Sequence, residues 1–164
     1  MTIREIRGKN DFPQIFYATP DQAEALTQIA FAAKRHWGYP ERWIQLWSPI
    51  LIISPEFIET HDTYVAYVNA RPVGFCAISH TDHVASLEHL WVLPKHIGQG
   101  IGAVLFCRAV ECCKELGVHT LEIESDPNAQ GFYERMGAKK IGEHIGEVEG
   151  QPRILPVLEM TLAR

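Results

Sequence analysis

The amino-acid sequence predicts an α/β (α+β) domain, a mixed sheet with helices packed on it. Three observations predict it. The apolar period is helical through the first third of the chain and switches to two at Thr63. From there strand-like stretches are interrupted twice by helix-like ones. The chain has 164 residues, 46% hydrophobic and 21% charged, which suits one domain (1–164) with its own core.

Taken in order, "QIFYATP" (14–20) reads as a strand ending at a turn. "PDQAEALTQIAFAAKRHW" follows as a helix, with Asp21 near its start and Ala25, Ile29, Ala32 and Ala33 on one apolar face. "GYPERWIQLWSPILI" places Trp43, Leu46, Trp47 and Ile50 on one face of a second amphipathic helix. "SPEFIET" is a short third piece, capped by Ser54 with Pro55 at its first helical position. "TYVAYV" (63–68) and "RPVGFCAISH" (71–80) form an antiparallel hairpin across the tight Asn69-Ala70 turn, and "ASLEHLWVL" (85–93) is the next strand. A helix runs from Gly102 to Leu116 and stops at Gly117. "HTLEIES" (119–125) alternates as a strand, and a helix around Asn128–Met136 ends at Gly137. Strands near 140–148 and 153–162, with "EGQP" between them, close the chain. Residues 1–12 precede the first element and form an N-terminal extension.

Lys plus Arg number 15 against 20 Asp plus Glu, a formal charge of −5, which argues against nucleic acid as a partner. An anionic ligand must then be held locally, by backbone amides or a few basic side chains. Cys76, Cys107, Cys112 and Cys113 make no C-x-x-C pair, which points to reduced thiols in a cytoplasmic protein. Arg4, Glu5 and Arg7 with no apolar block do not make a signal peptide, and no window is apolar enough to span a membrane. The eight histidines (36, 61, 80, 83, 89, 96, 119 and 144) show no metal-ligand spacing, so no metal is expected.

The stretch "HLWVLPKHIGQGIGAVLF" carries three alternate glycines, Gly98, Gly100 and Gly102, between a strand and a helix. Glycine lets the backbone turn tightly, and the amides of a first helical turn point at an anion. The same glycines are also ordinary turn residues. No Walker or Rossmann pattern is present.

Together, "LEHLWVLPKHIGQGIGAVLF" and the later "DPNAQGFYERMGAKKIG" resemble the GNAT acetyltransferase superfamily. That family pairs a Q/R-x-x-G-x-G/A loop with a downstream N-x-x-A-x-x-F-Y-x-x-x-G-F stretch. Gly100 and Gly102 match the first, and Ala129, Phe132, Tyr133 and Gly137 the second. The resemblance implies a mixed, mostly antiparallel sheet of six to seven strands, flanked by about four helices, with splayed central strands. It implies acetyl-CoA, bound as acetyl donor, with its pyrophosphate on the loop Ile97, Gly98, Gln99, Gly100, Ile101, Gly102 and Ala103. The pantetheine arm would lie along Leu90, Trp91 and Val92. The chain departs from the family at Ile97, which stands for Q/R, and at Ala138, which stands for the last Phe. The family's asparagine falls on Asp126, with Asn128 nearby as a substitute.

In the resemblance Tyr133 gives the leaving sulfur its proton, beside Phe132. Without it, Tyr133 is an aromatic filler. On the strand entering the loop, alternation puts Ser86, Glu88, Leu90 and Val92 on one face and Leu87, His89, Trp91 and Leu93 on the other. A carboxylate on so apolar a strand is used or paired, so Glu88 is either the general base, directly or through a water, or a buried ion-pair partner. His89 should face packed helices. His36, Trp37, Tyr39 and Trp43 make "KRHWGYPERW" aromatic enough for an acceptor wall, or for a core cap or dimer patch. Arg153 would meet a substrate carboxylate or lie in solvent.

The expected activity is therefore N-acetyl transfer to a primary amine, more in keeping with a small molecule than a protein lysine. The alternatives are an acyl-CoA sensor without turnover, a protein or peptide N-acetyltransferase, and a structural domain that binds no CoA. The family's habit adds a homodimer.

Overall fold

In the computed structural model residues 12–162 are described, so the N-terminal extension lies outside the described residues apart from Phe12. The strands are β1 (Gln14–Tyr17), β2 (Asp62–Val68), β3 (Arg71–His80), β4 (Val84–Val92), β5 (Thr120–Glu124), β6 (Lys139–Val148) and β7 (Gln151–Thr161). The α-helices are α1 (Ala23–His36), α2 (Glu41–Leu46), α3 (Ser48–Leu51), α4 (Pro55–Thr60), α5 (Ile101–Glu115) and α6 (Gln130–Arg135). Six α-helices among the described residues exceed the four or so expected, because several are single short turns.

The seven strands form one sheet in the order β1-β2-β3-β4-β5-β7-β6. β4 and β5 are parallel, while β1 with β2, β5 with β7 and β6 with β7 are antiparallel. The mixed, mostly antiparallel sheet is as the sequence predicts. The register of β4 with β5 holds three pairs, Val84–Ser86 against Thr120–Glu122, although β4 runs on to Val92. That short register is the hydrogen-bonding sign of strands that part.

The described residues pack as two compact units: Phe12–Ala77 with His89–Arg108, and Ile78–Glu88 with Ala109–Leu162. In the first, the core gathers Leu26, Ile29, Ala30, Ile44, Leu51, Ile53, Ile58, Val65 and Phe75. Each large apolar side chain so buried contributes roughly 1.5–3 kcal/mol. The buried stripe of α1 is Leu26, Ile29, Ala30 and Ala33; Ala25 and Ala32 flank it, and Lys34 is buried too. Thr27 Oγ1 ties the stripe to the chain beyond α3, accepting from Ile53 N–H at 2.9 Å.

The single second helix expected across 38–52 is instead two, α2 and α3, meeting at Trp47. Pro49 is the cause. It has no N–H to give the Gln45 carbonyl, and Ser48 Oγ donates to that oxygen instead, at 2.8 Å. The break turns the predicted face around. Ile44 and Leu51 are buried, whereas Leu46 is 59% and Ile50 67% exposed. Ser54 caps α4 as expected, its Oγ accepting from Phe57 N–H at 3.0 Å, with Pro55 first in the helix.

The Asn69-Ala70 turn has φ of +52° and +64°, the two-residue hairpin geometry whose twist matches the strands. Alanine is strained there by about 1–2 kcal/mol. Ala70→Gly should therefore raise stability by about 0.5–1 kcal/mol, the rest being lost to glycine's freer unfolded chain. A thermal melt should rise by roughly 2–3 °C.

In the second unit Leu121, Ile123, Tyr133, Ala138 and Leu158 are buried. Gly117, with φ of +76°, ends α5: Val118 N–H donates to Cys113 O and Gly117 N–H to Lys114 O. The last hairpin turns on Glu149-Gly150 alone, since Gln151 and Pro152 already pair with Val148 and Glu147 in the strands. β6 is an edge strand that bulges between Lys140 and Gly142 and exposes Ile141 and Ile145. Cys76, Cys112 and Cys113 are buried and Cys107 is exposed, all as free thiols.

Candidate active site

β4 ends at Val92, and its neighbour Leu93 donates from N–H to Val73 O at 2.8 Å. A 3-10 turn, Pro94–His96, leads into the glycine loop. Gly98 and Gly100 have φ of +85° and +81°, and a Cβ built on either meets nothing within 4 Å. Glycine is needed there for the backbone angle, and the space in front of it is open. Val104 N–H makes the first helical bond, to Gly100 O at 3.1 Å. The amides of Ile101, Gly102 and Ala103 come before that bond, at the positive end of the 15-residue helix α5. His96 Nδ1 lies 2.9 Å from Gln99 Oε1, and Ile97 is exposed. Leu90, Trp91 and Val92 are half-buried.

Tyr133 lies on α6 and is 7% exposed, edge-on to Phe132 at 5.2 Å between centroids. Its backbone is fixed by the way the helix ends. Ala138 N–H donates to Tyr133 O at 3.0 Å and Gly137 N–H to Glu134 O at 3.0 Å, closing on Gly137 at φ +103°. The Y-x-x-x-G spacing is thus the spacing of a left-handed cap: the glycine four residues on is what lets the chain turn back to the tyrosine's carbonyl. Ala138 fills the position that usually packs on the last turn.

Asp126 caps the 3-10 turn Pro127–Ala129 ahead of α6, accepting from Asn128 N–H at 2.8 Å and Nδ2 at 2.9 Å. Its other oxygen accepts from Arg153 Nη2 at 3.2 Å, and both side chains are largely buried. Arg153, read from sequence as a substrate contact or a solvated side chain, is engaged by Asp126. Losing one partner of such a pair leaves a poorly solvated charge. Arg153→Met should cost about 2 kcal/mol in chemical denaturation. Adding Asp126→Asn should recover most of that, because asparagine keeps the cap without the charge.

Glu88 departs from expectation. It is exposed, not buried, and accepts a hydrogen bond from Ser79 Oγ at 2.7 Å. His89 is 7% exposed as expected, its ring 5.3 Å from Phe57 and 5.7 Å from Phe75, with Nδ1 accepting from Trp91 Nε1 at 2.9 Å.

The aromatic loop after α1 splits in two. His36 and Trp37 are exposed, edge-on to each other at 5.2 Å. Tyr39 and Trp43 instead join Trp47: Tyr39–Trp43 at 6.2 Å, Tyr39–Trp47 at 5.1 Å and Trp43–Trp47 at 6.0 Å. Lys34 Nζ sits over Tyr39 at 4.9 Å, Trp47 at 4.5 Å and Trp91 at 5.9 Å. The sequence reading missed Lys34 and Trp47 here, though positions 39, 43 and 47, four apart, were a visible signal. Arg35 Nη2 and Glu41 Oε1, at 2.8 Å, clasp the turn between α1 and α2. Their hydrogen bond raises the Arg35 guanidinium's pKa and lowers that of the Glu41 carboxyl.

The fold has known counterparts. A GCN5-related N-acetyltransferase from Rhodopseudomonas palustris superposes with a TM-score of 0.77 at 18% identity, over 93% of this chain and 97% of that one. The PaiA N-acetyltransferase of Thermoplasma acidophilum, solved in complex with coenzyme A, gives 0.74 at 18% identity, over 92% and 99%. At such identities the likeness is one of fold. In sequence, a provisionally named acetyltransferase of Bacillus subtilis (strain 168) is 28% identical over 91 residues, 56% of this chain and 61% of that one. The chain thus spans under two thirds of the curated relatives it matches. Residues 23–138, well over half the chain, match the acetyltransferase (GNAT) family, and the protein belongs to that family.

Proposed function

We propose that this chain is an acetyl-CoA-dependent N-acetyltransferase acting on a primary amine of a small molecule. The observation that carries the reading is the glycine loop. Gly98 and Gly100 hold left-handed backbone angles with open space in front of them, directly ahead of a long helix's first amides. An anionic pyrophosphate fits such a cradle. Ile97 offers no polar contact, so the amides of Gly98 to Ala103 carry the phosphate. Leu90 and Val92 would present backbone groups to the pantetheine arm.

When bound, acetyl-CoA supplies an activated carbonyl and a thiolate leaving group. Glu88, exposed and held by Ser79, takes the proton of the acceptor ammonium, directly or through a water. The amine nitrogen then forms the new C–N bond as the C–S bond breaks, the Tyr133 hydroxyl gives its proton to the sulfur, and the nitrogen's second proton passes through water to the tyrosinate, leaving a neutral amide and a reset tyrosine. No residue of the chain is acylated. The four free cysteines support a reducing, cytoplasmic setting. No described helix is long and apolar enough to cross a membrane.

Calorimetric titration with acetyl-CoA and with free CoA tests the cradle, followed by CoA release over a panel of amines. Binding of both with turnover is the expected result. Binding without turnover on any amine would mark a sensor, and no heat at all would overturn the reading.

A further inference from the structure

α6 has six residues, Gln130–Arg135, and a helix that short does not hold its place unaided. Its C-terminal end closes on Gly137. A chain of contacts holds the other end. Ser125, 2% exposed, donates from N–H to Pro156 O at 2.9 Å and from Oγ to Asp126 O at 2.7 Å. Asp126 O also accepts from Ala129 N–H at 2.9 Å, directly before α6. The Asp126 carboxylate is divided between two tasks. Oδ1 holds the turn through Asn128, while Oδ2 accepts from Arg153 Nη2 on β7 at 3.2 Å. Both side chains are largely buried, and a buried ion pair adds little stability over a neutral substitute. One carboxylate thus joins the helix bearing Tyr133 to the sheet, by an interaction that stability alone does not explain.

We propose that Arg153 is a positioning residue for the transfer. Through Asp126 it fixes where α6 begins, and so where the Tyr133 hydroxyl stands relative to the leaving sulfur. The inference rests on the reading of Tyr133 as the acid. Arg153 is a firm anchor because β7 is paired on both sides, with β6 at Gly146 and with β5 from Val157 to Thr161. α6 starts directly after the Asp126 turn, so a shift of that cap carries the tyrosine with it. Proton transfer tolerates such a shift poorly, since a misplacement of about 1 Å costs up to about a hundredfold in rate. With a neutral side chain at 153 the carboxylate still caps its own turn through Asn128, but the turn loses its tie to β7.

The test measures acetyl transfer to 2-phenylethylamine, spermidine and L-lysine. It compares wild type, Arg153→Met, Tyr133→Phe, these two combined, and Arg153→Met combined with Asp126→Asn. For the amine that turns over fastest, Arg153→Met should lower kcat about 10–10²-fold and leave KM within about threefold of wild type. In the Tyr133→Phe background the same substitution should cost under about threefold, because a ring without its hydroxyl has no proton to misplace. Adding Asp126→Asn to Arg153→Met should restore the melting temperature but not kcat, which separates placement from stability. Recovery of kcat together with the melt would overturn the proposal and leave the pair structural. Equal losses in the two Tyr133 backgrounds would overturn it too, as would a raised KM at full kcat, which would return Arg153 to the substrate. An undiminished rate in Tyr133→Phe would instead sink the acid assignment beneath it. Calorimetric binding of acetyl-CoA with none of the three amines acetylated would sink both.

Discussion

Tyr133→Phe is expected to lower kcat by about 10²–10³ while leaving acetyl-CoA affinity unchanged, the loss proper to a general acid. The variant removes one oxygen and nothing else. Tyr133 keeps its ring contact with Phe132 and its cap from Ala138 N–H, because the first is carbon and the second is backbone. The melting temperature should therefore move by only a few degrees. Calorimetry separates the two effects: unchanged binding with slow turnover assigns the hydroxyl to the chemical step. Unchanged turnover would mean that the thiolate leaves unprotonated or takes its proton from water, and Tyr133 would revert to a packing residue.

Most of the fold was legible because apolar period survives tertiary context. The seven strands and the caps at Ser54, Gly117 and Gly137 follow from local chemistry, and they stand where the residues point. The failures share another cause. Pro49 lies where a helix pattern continues on either side, and only the fate of the Gln45 carbonyl reveals the break. Asp126 and Arg153 are 27 residues apart, and nothing local announces a pair between a helical turn's cap and a late strand. Lysine reads as a surface residue, so the burial of Lys34 depends on rings supplied by three separate elements. The Glu88 argument failed in the opposite direction. It assumed a covered sheet face, and the carboxylate lies in the open.

Gly74→Ala should destabilise the protein by about 2–3 kcal/mol, far beyond what a strand glycine ordinarily suggests. By composition alone Gly74 is a weak point in "RPVGFCAISH", where alanine would gain roughly 0.5–1 kcal/mol. The packing reverses that sign. A Cβ at Gly74 would lie 2.8 Å from the Trp91 carbonyl oxygen, 3.1 Å from Leu105 Cδ1 and 3.4 Å from Val92 Cγ2. Leu105 and Val92 can rotate, but the carbonyl is backbone and must move with its strand. The melting temperature should fall by roughly 5–10 °C. Because Trp91 lies between the two positions proposed to meet the pantetheine arm, acetyl-CoA affinity should fall as well, at a residue that touches no ligand. An unaltered melt would show slack between β3 and β4. A lower melt with full affinity would separate this strand from the cofactor and leave the glycine loop to hold it alone.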